Sequence, residues 1–172
     1  ADIEGYPEVA GLFRSTAALA LTAILAPAAP LPAQDEIPEG STIDSATFSV
    51  FMLFPLTPPS TVNAHRITAA WTELGVTWNN FGGTYDATVE ASFLADTLGE
   101  YESIDLTALV QAWIDGTHPN YGVLLEQSAD LIQFRSREEL EYGWPLLVIW
   151  YTPPGGVSTR IELLASMDSY IR

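Results

Sequence analysis

The 172-residue chain contains no cysteine and no lysine. Without cysteine there is no disulfide framework, no thiolate zinc site, no iron–sulfur cluster and no cysteine nucleophile. Without lysine no Lys–Asn isopeptide bond can form, so any assembly holds by noncovalent contacts. Cations of any kind are scarce: six arginines face 22 acids, which leaves a net charge of −16 and a pI near 4.1. Charged residues nevertheless make up only 16% of the chain, below the quarter or so usual in globular domains, so the imbalance comes from missing cations rather than surplus acids. Such a chain has no basic stripe for phosphates and is repelled by DNA, RNA and anionic lipid surfaces. Nucleic acid is therefore not an expected partner.

A long hydrophobic run is also lacking. The nearest approach, "FRSTAALALTAILAPAAPLPAQDE", has Arg14 and an apolar stretch from Ala17 to Ala26. Asp2, Glu4 and Glu8 spoil a positive leader, and Pro27, Pro30 and Pro32 stop the run well short of a membrane span. A buried strand followed by a loop is the better reading, with no direct membrane insertion. The chain begins with Ala rather than Met, which suggests processing after a signal peptide and an extracellular or cell-surface location. Its length suits one domain with a core of its own.

What is present is mostly alternating or β-branched. In "TIDSATFSVFMLF", Ala46, Phe48, Val50, Met52 and Phe54 share one face and Ser45, Thr47 and Ser49 the other, a period of two. "PLTPPS" ends that strand, and "TVNAHRIT" resumes as a second, suggesting antiparallel neighbours across a proline loop. "WTELGVTWNNFGGTYD" reads as a short strand or turn in an ordered loop. "IDLTALVQAWIDG" changes rhythm: Leu106, Leu109, Val110 and Trp113 fall at helical spacing, Thr107 is placed to cap, and Gly116 to end the helix. That predicts one short helix over about residues 107–115. "YGVLLEQS", "LIQFRSRE" and "WPLLVIWYT" follow as strands. The fold class expected is all-β, an antiparallel jelly-roll-like sandwich.

Motifs of chemistry are mostly missing. There is no G-x-S-x-G elbow, phosphate loop or dinucleotide fingerprint, and no enzyme activity is expected. Trp71 and Trp78 either stack on sugar rings or fill the core; Glu73 is either a sugar contact or a loop carboxylate bonded to backbone donors. His65 and His118, the only histidines, show no ligand spacing and read as singly hydrogen-bonded. Acids at Asp35, Glu36 and Glu39 and at Glu138, Glu139 and Glu141 are weak candidates for Ca²⁺, since neither group forms the alternating acidic loop with its distal Glu. Otherwise no cofactor is expected.

The pieces "IPEGSTIDSATFSV", "WTELGVTWNN", "IDLTALVQAWIDGTHPNYGVLL" and "FRSREELEYGWPLLVIWY", in that order over residues 37–151, resemble the DNRLRE-domain family. This is a secreted β-sandwich family related to carbohydrate-binding modules and disaggregatase-type repeats. The resemblance implies a domain that binds or builds rather than catalyses. Such domains open with a strand similar to "DSYI", which here stands near the end, in "ASMDSYIR". The chain thus reads as permuted by one strand: a sandwich at 1–152 lacking its first strand, a Pro/Gly linker at 153–160, and a C-terminal strand at 161–172.

Three outcomes are open for that strand. It completes an identical neighbour, giving a head-to-tail homopolymer; it folds back into its own domain; or the chain is part of a tandem array. Donation to a neighbour is the leading expectation, with Leu163, Leu164, Met167, Tyr170 and Ile171 as the donor side chains. The expected function is accordingly an extracellular structural subunit. The alternative is a carbohydrate-binding module using Trp71, Glu73 and Trp78, with polysaccharide as partner. The anionic surface argues against alginate-like ligands unless a cation bridges.

Overall fold

The computed structural model describes residues 18–22, 37–54, 59–72, 75–127, 132–135, 142–164 and 166–170. Along them run β1 (Ala18–Thr22), β2 (Thr42–Phe54), β3 (Ser60–Arg66), α1 (Trp78–Phe81), β4 (Ala91–Ala95), β5 (Tyr101–Asp105), α2 (Thr107–Ile114), β6 (Val123–Glu126), β7 (Gln133–Phe134), β8 (Leu146–Thr152), β9 (Thr159–Leu164) and β10 (Ser166–Tyr170). The strands form two antiparallel sheets, ordered β10-β1-β6-β3-β4 and β5-β2-β8-β9, with β7 pairing the far end of β2. This is an all-β sandwich.

Period-two alternation makes the core. Ala46, Phe48, Val50 and Met52 of β2 and Leu147, Ile149 and Tyr151 of β8 face Val62 and Ala64 of β3, Phe93 and Ala95 of β4, and Val123 and Leu125 of β6 in one buried cluster. The helix α2 joins that cluster with Leu109, Val110 and Trp113. Its tether is polar: Gln111 Oε1 accepts from Ile43 N at 2.7 Å, and Gln111 Nε2 donates to the Ser41 carbonyl at 3.2 Å.

Several expectations are corrected. Residue Thr107 does not cap α2; Leu106 holds the cap position, without a side-chain bond. The Thr107 hydroxyl instead accepts from Ala46 N at 2.9 Å and donates to the Asp105 carboxylate. A single helical turn, α1, stands where a strand or turn was expected, because Thr77 and Asn80 form a reciprocal capping box: Thr77 N donates to Asn80 Oδ1 and Asn80 N to Thr77 Oγ1. Strands β2 and β3 are not neighbours, since β2 already has β5 on one side and β8 on the other and both its edges are taken. β2 and β3 therefore belong to different sheets.

The tail differs most. Residues 153–158 are a hairpin turn rather than a linker, and β9 pairs with β8 from Tyr151↔Thr159 to Leu146↔Leu164. Leu163 is half-buried and packs on the main core of its own chain. After the single residue Ala165, β10 enters the other sheet and pairs antiparallel with β1, Leu21↔Met167 and Ala18↔Tyr170 among the partners. The expected donor segment is thus two strands in two sheets. Pairing to β1 satisfies its backbone groups within the chain, so the vacancy that motivated donation to a neighbour is occupied. Ile171 lies outside the described residues.

Candidate functional site

Between β3 and β4 the chain makes a long excursion that folds over the outer face of the first sheet. Leu124 and His65 alternate with inward-facing Val123, Leu125 and Ala64, so they point outward. The excursion covers them: Ile67, Phe81 and Leu124 form a second buried cluster, with Trp71, Val76, Tyr85 and Tyr121 packed against it. Beside this cluster lies a hollow of about 280 Å³ lined by Ala69, Ala70, Trp71, Thr72, Val76 and Asn80, with Phe81 and Thr84 completing it.

The Trp71 ring is held, not loose. Its indole Nε1 donates to the Tyr121 carbonyl at 2.8 Å, while the ring remains half-exposed. Asn80 Nδ2 donates to the Gly75 carbonyl at 2.7 Å, and the Thr84 hydroxyl to the Phe81 carbonyl at 2.9 Å. These bonds shape the rim around an apolar, ring-bearing wall, a mix suited to a ligand with one apolar face and a polar edge.

A polar belt fastens the excursion to the sheet. His65 is buried, and its Nδ1 faces the carbonyls of Asp86 at 3.2 Å and Thr88 at 3.0 Å, so that nitrogen carries a proton. His65 Nε2 lies 3.3 Å from Glu126 Oε2. Arg66 pairs with Asp86 at 2.7 Å. The Thr88 backbone N–H and hydroxyl, with Arg66 adding, hold the Asp86 carboxyl below its ordinary value. The histidine therefore positions the loop rather than offering itself to a ligand.

Of the sequence candidates, the structure brings Trp71 to the hollow. Glu73 lies outside the described residues, and Trp78 opens α1 within the same excursion. Among the described residues no group of three or more His, Asp or Glu is placed to hold a metal ion. Glu39 is exposed; Asp35, Glu36, Glu138, Glu139 and Glu141 lie outside the described residues.

Sequence reasoning missed a second set of rings, on the outer face of the other sheet. Tyr101 is 42% exposed, Tyr142 52% and Trp150 42%. Phe51 meets Tyr101 edge-on at 5.3 Å and Tyr142 at 5.5 Å, and the Arg135 guanidinium lies over the Tyr142 ring at 4.3 Å. The signal was available: in "LLVIWYT" the period of two that buries Leu147, Ile149 and Tyr151 turns Trp150 outward.

Architecture and surfaces together define a two-sheet antiparallel β-sandwich with exposed or half-exposed rings on both outer faces. Within that class, residues 35–151 match carbohydrate-binding module family 96, well over half of the chain, and the chain belongs to that family. The match carries the relation to carbohydrate-binding modules rather than the DNRLRE domain by name. No curated protein and no solved structure matches the chain.

Proposed function

We propose that the protein is a non-catalytic carbohydrate-binding module that holds polysaccharide outside the cell. The observation that carries this reading is the rigid Trp71 ring at the wall of a sugar-sized hollow, in a chain belonging to a carbohydrate-binding family. The ring stacks on the apolar face of a sugar, while the Thr72 and Thr84 hydroxyls and the Asn80 amide meet its hydroxyl edge. Membership of a carbohydrate-binding family is compatible with a non-catalytic role, and among the described residues no helix is long and apolar enough to cross a membrane.

The test is affinity electrophoresis of the full chain through gels containing cellulose derivatives, xylan, glucomannan, β-1,3-glucan, pectate or alginate. Retardation by at least one polysaccharide is expected, and Trp71→Ala is expected to be retarded less than the wild type. Unretarded migration through every gel would overturn the reading.

A further inference from the structure

The outer face of the β5-β2-β8-β9 sheet carries a regular lattice that the Trp71 hollow does not use. Its rows follow from strand register: Ser45, Trp150 and Arg160; then Asp105, Thr47, Val148 and Glu162; then Ser103, Ser49 and Leu146; then Tyr101 and Phe51. Exposed rings stand at both ends, Trp150 at one and Tyr101 with Tyr142 at the other. Ser45 and Phe51 lie six steps apart along β2, a span of about 20 Å. Half-buried Val148 and Leu146 floor the space between, and it is edged by the hydroxyls of Thr47, Ser49 and Ser103, the last two bonded at 2.8 Å.

Trp150 and the Tyr101 and Tyr142 rings are large hydrophobic side chains left exposed on one and the same sheet face. Arg66, Arg135 and Arg160 are the arginines among the described residues, and the last two border this face. Arg135 is fixed over Tyr142 and donates to its carbonyl at 3.2 Å; Arg160 pairs with Glu162 at 2.6 Å. The strip carries both signs, since Asp105 and Glu162 stand in its second row.

We propose that this face is a second glycan-binding surface, built for an extended chain rather than a single ring. A linear polysaccharide lies along the strip, its sugar faces on Trp150 at one end and on Tyr101 and Tyr142 at the other, its hydroxyls over the serine and threonine row. Because the Trp71 excursion covers the opposite sheet, one molecule holds two glycan segments, one on each face. The inference rests on the carbohydrate reading for the class of ligand but not on the hollow for its site.

Affinity electrophoresis against the same polysaccharides separates the two. Trp150→Ala and Tyr101→Ala remove exposed rings and leave the buried core residues in place; thermal melts confirm that the variants fold. Each is expected to weaken retardation about tenfold, the loss typical of an aromatic anchor, and a hexasaccharide of the retained polymer is expected to compete far better than its monosaccharide. The chain Trp71→Ala retains binding at this face. Retardation of the wild type that neither ring substitution alters, or equal competition by monosaccharide and hexasaccharide, would overturn the second surface while leaving the carbohydrate reading intact. A wild type retarded by no polysaccharide would overturn both.

Discussion

One hydroxyl joins three elements. Thr107 Oγ1 accepts the Ala46 N–H from β2, donates to Asp105 at the end of β5, and belongs to the first turn of α2. Replacing Thr107 by Val keeps the shape but strands the Ala46 donor, so a loss of about 1–3 kcal/mol is expected. Thr107→Ser should restore most of it. Urea denaturation checks both, and a Thr107→Val chain as stable as the wild type would contradict the assignment.

The acid in that junction adds a pH signature. The Thr107 hydroxyl and N–H both donate to Asp105 and hold its carboxyl below its ordinary value. A depressed folded-state pKa contributes stability that is fully present above the unfolded value, near 4, and is lost as pH falls through the folded value. Asp105→Asn removes that dependence, so wild type and variant should differ most near neutral pH and converge in acid. Because Asp105 is exposed, the difference should stay below about 1 kcal/mol. Melting curves from pH 2 to pH 7, run on both chains, provide the measurement; a gap that widens in acid would refute it.

At the scale of elements, legibility followed periodicity. The alternation in β2 and the helical spacing in α2 appear in the residues because one face of each meets the core. Pairing partners left no such trace. Nothing in "PLTPPS" tells whether the next strand lies alongside or crosses to the opposite sheet, and α1 depends on a capping box whose Asn80 resembles any loop asparagine. The rings of the second face were hidden by company: Trp150 sits among five apolar neighbours, and Tyr142 and Arg135 belong to different loop segments that only folding brings together. The Trp71 hollow was half-legible, since the tryptophan was evident and its tether to Tyr121 was not.

Gly143 makes that second cluster possible. Its φ is +85°, and an added Cβ would meet the Arg135 side chain and the Phe51 ring. Gly143→Ala therefore combines left-handed backbone strain of about 1–3 kcal/mol with displacement of Arg135 from Tyr142. Reduced stability together with a changed near-ultraviolet aromatic signal is expected. An alanine variant with the wild-type spectrum and melting temperature would show that the cluster is looser than these contacts imply.

For the whole molecule, the decisive element is the last strand. β9 is an edge of one sheet and β10 an edge of the other, and in sequence only Ala165 separates them. On the opposite side β4 and β5, again edge strands of different sheets, are joined through residues 96–100 and lie in contact. Chain continuity thus links the two sheets along both borders, and β10 shields the edge of β1 that would otherwise template pairing with another chain. A subunit closed in this way has its own strand where a neighbour's would have to go. The full chain should therefore run as a monomer in light scattering. Deleting residues 166–172 should lower the melting temperature and expose β1, so that the truncated protein self-associates as concentration rises. The reverse pattern, polymers from the full chain and monomers from the deletion, would mean that β10 pairs with β1 between molecules instead of within one.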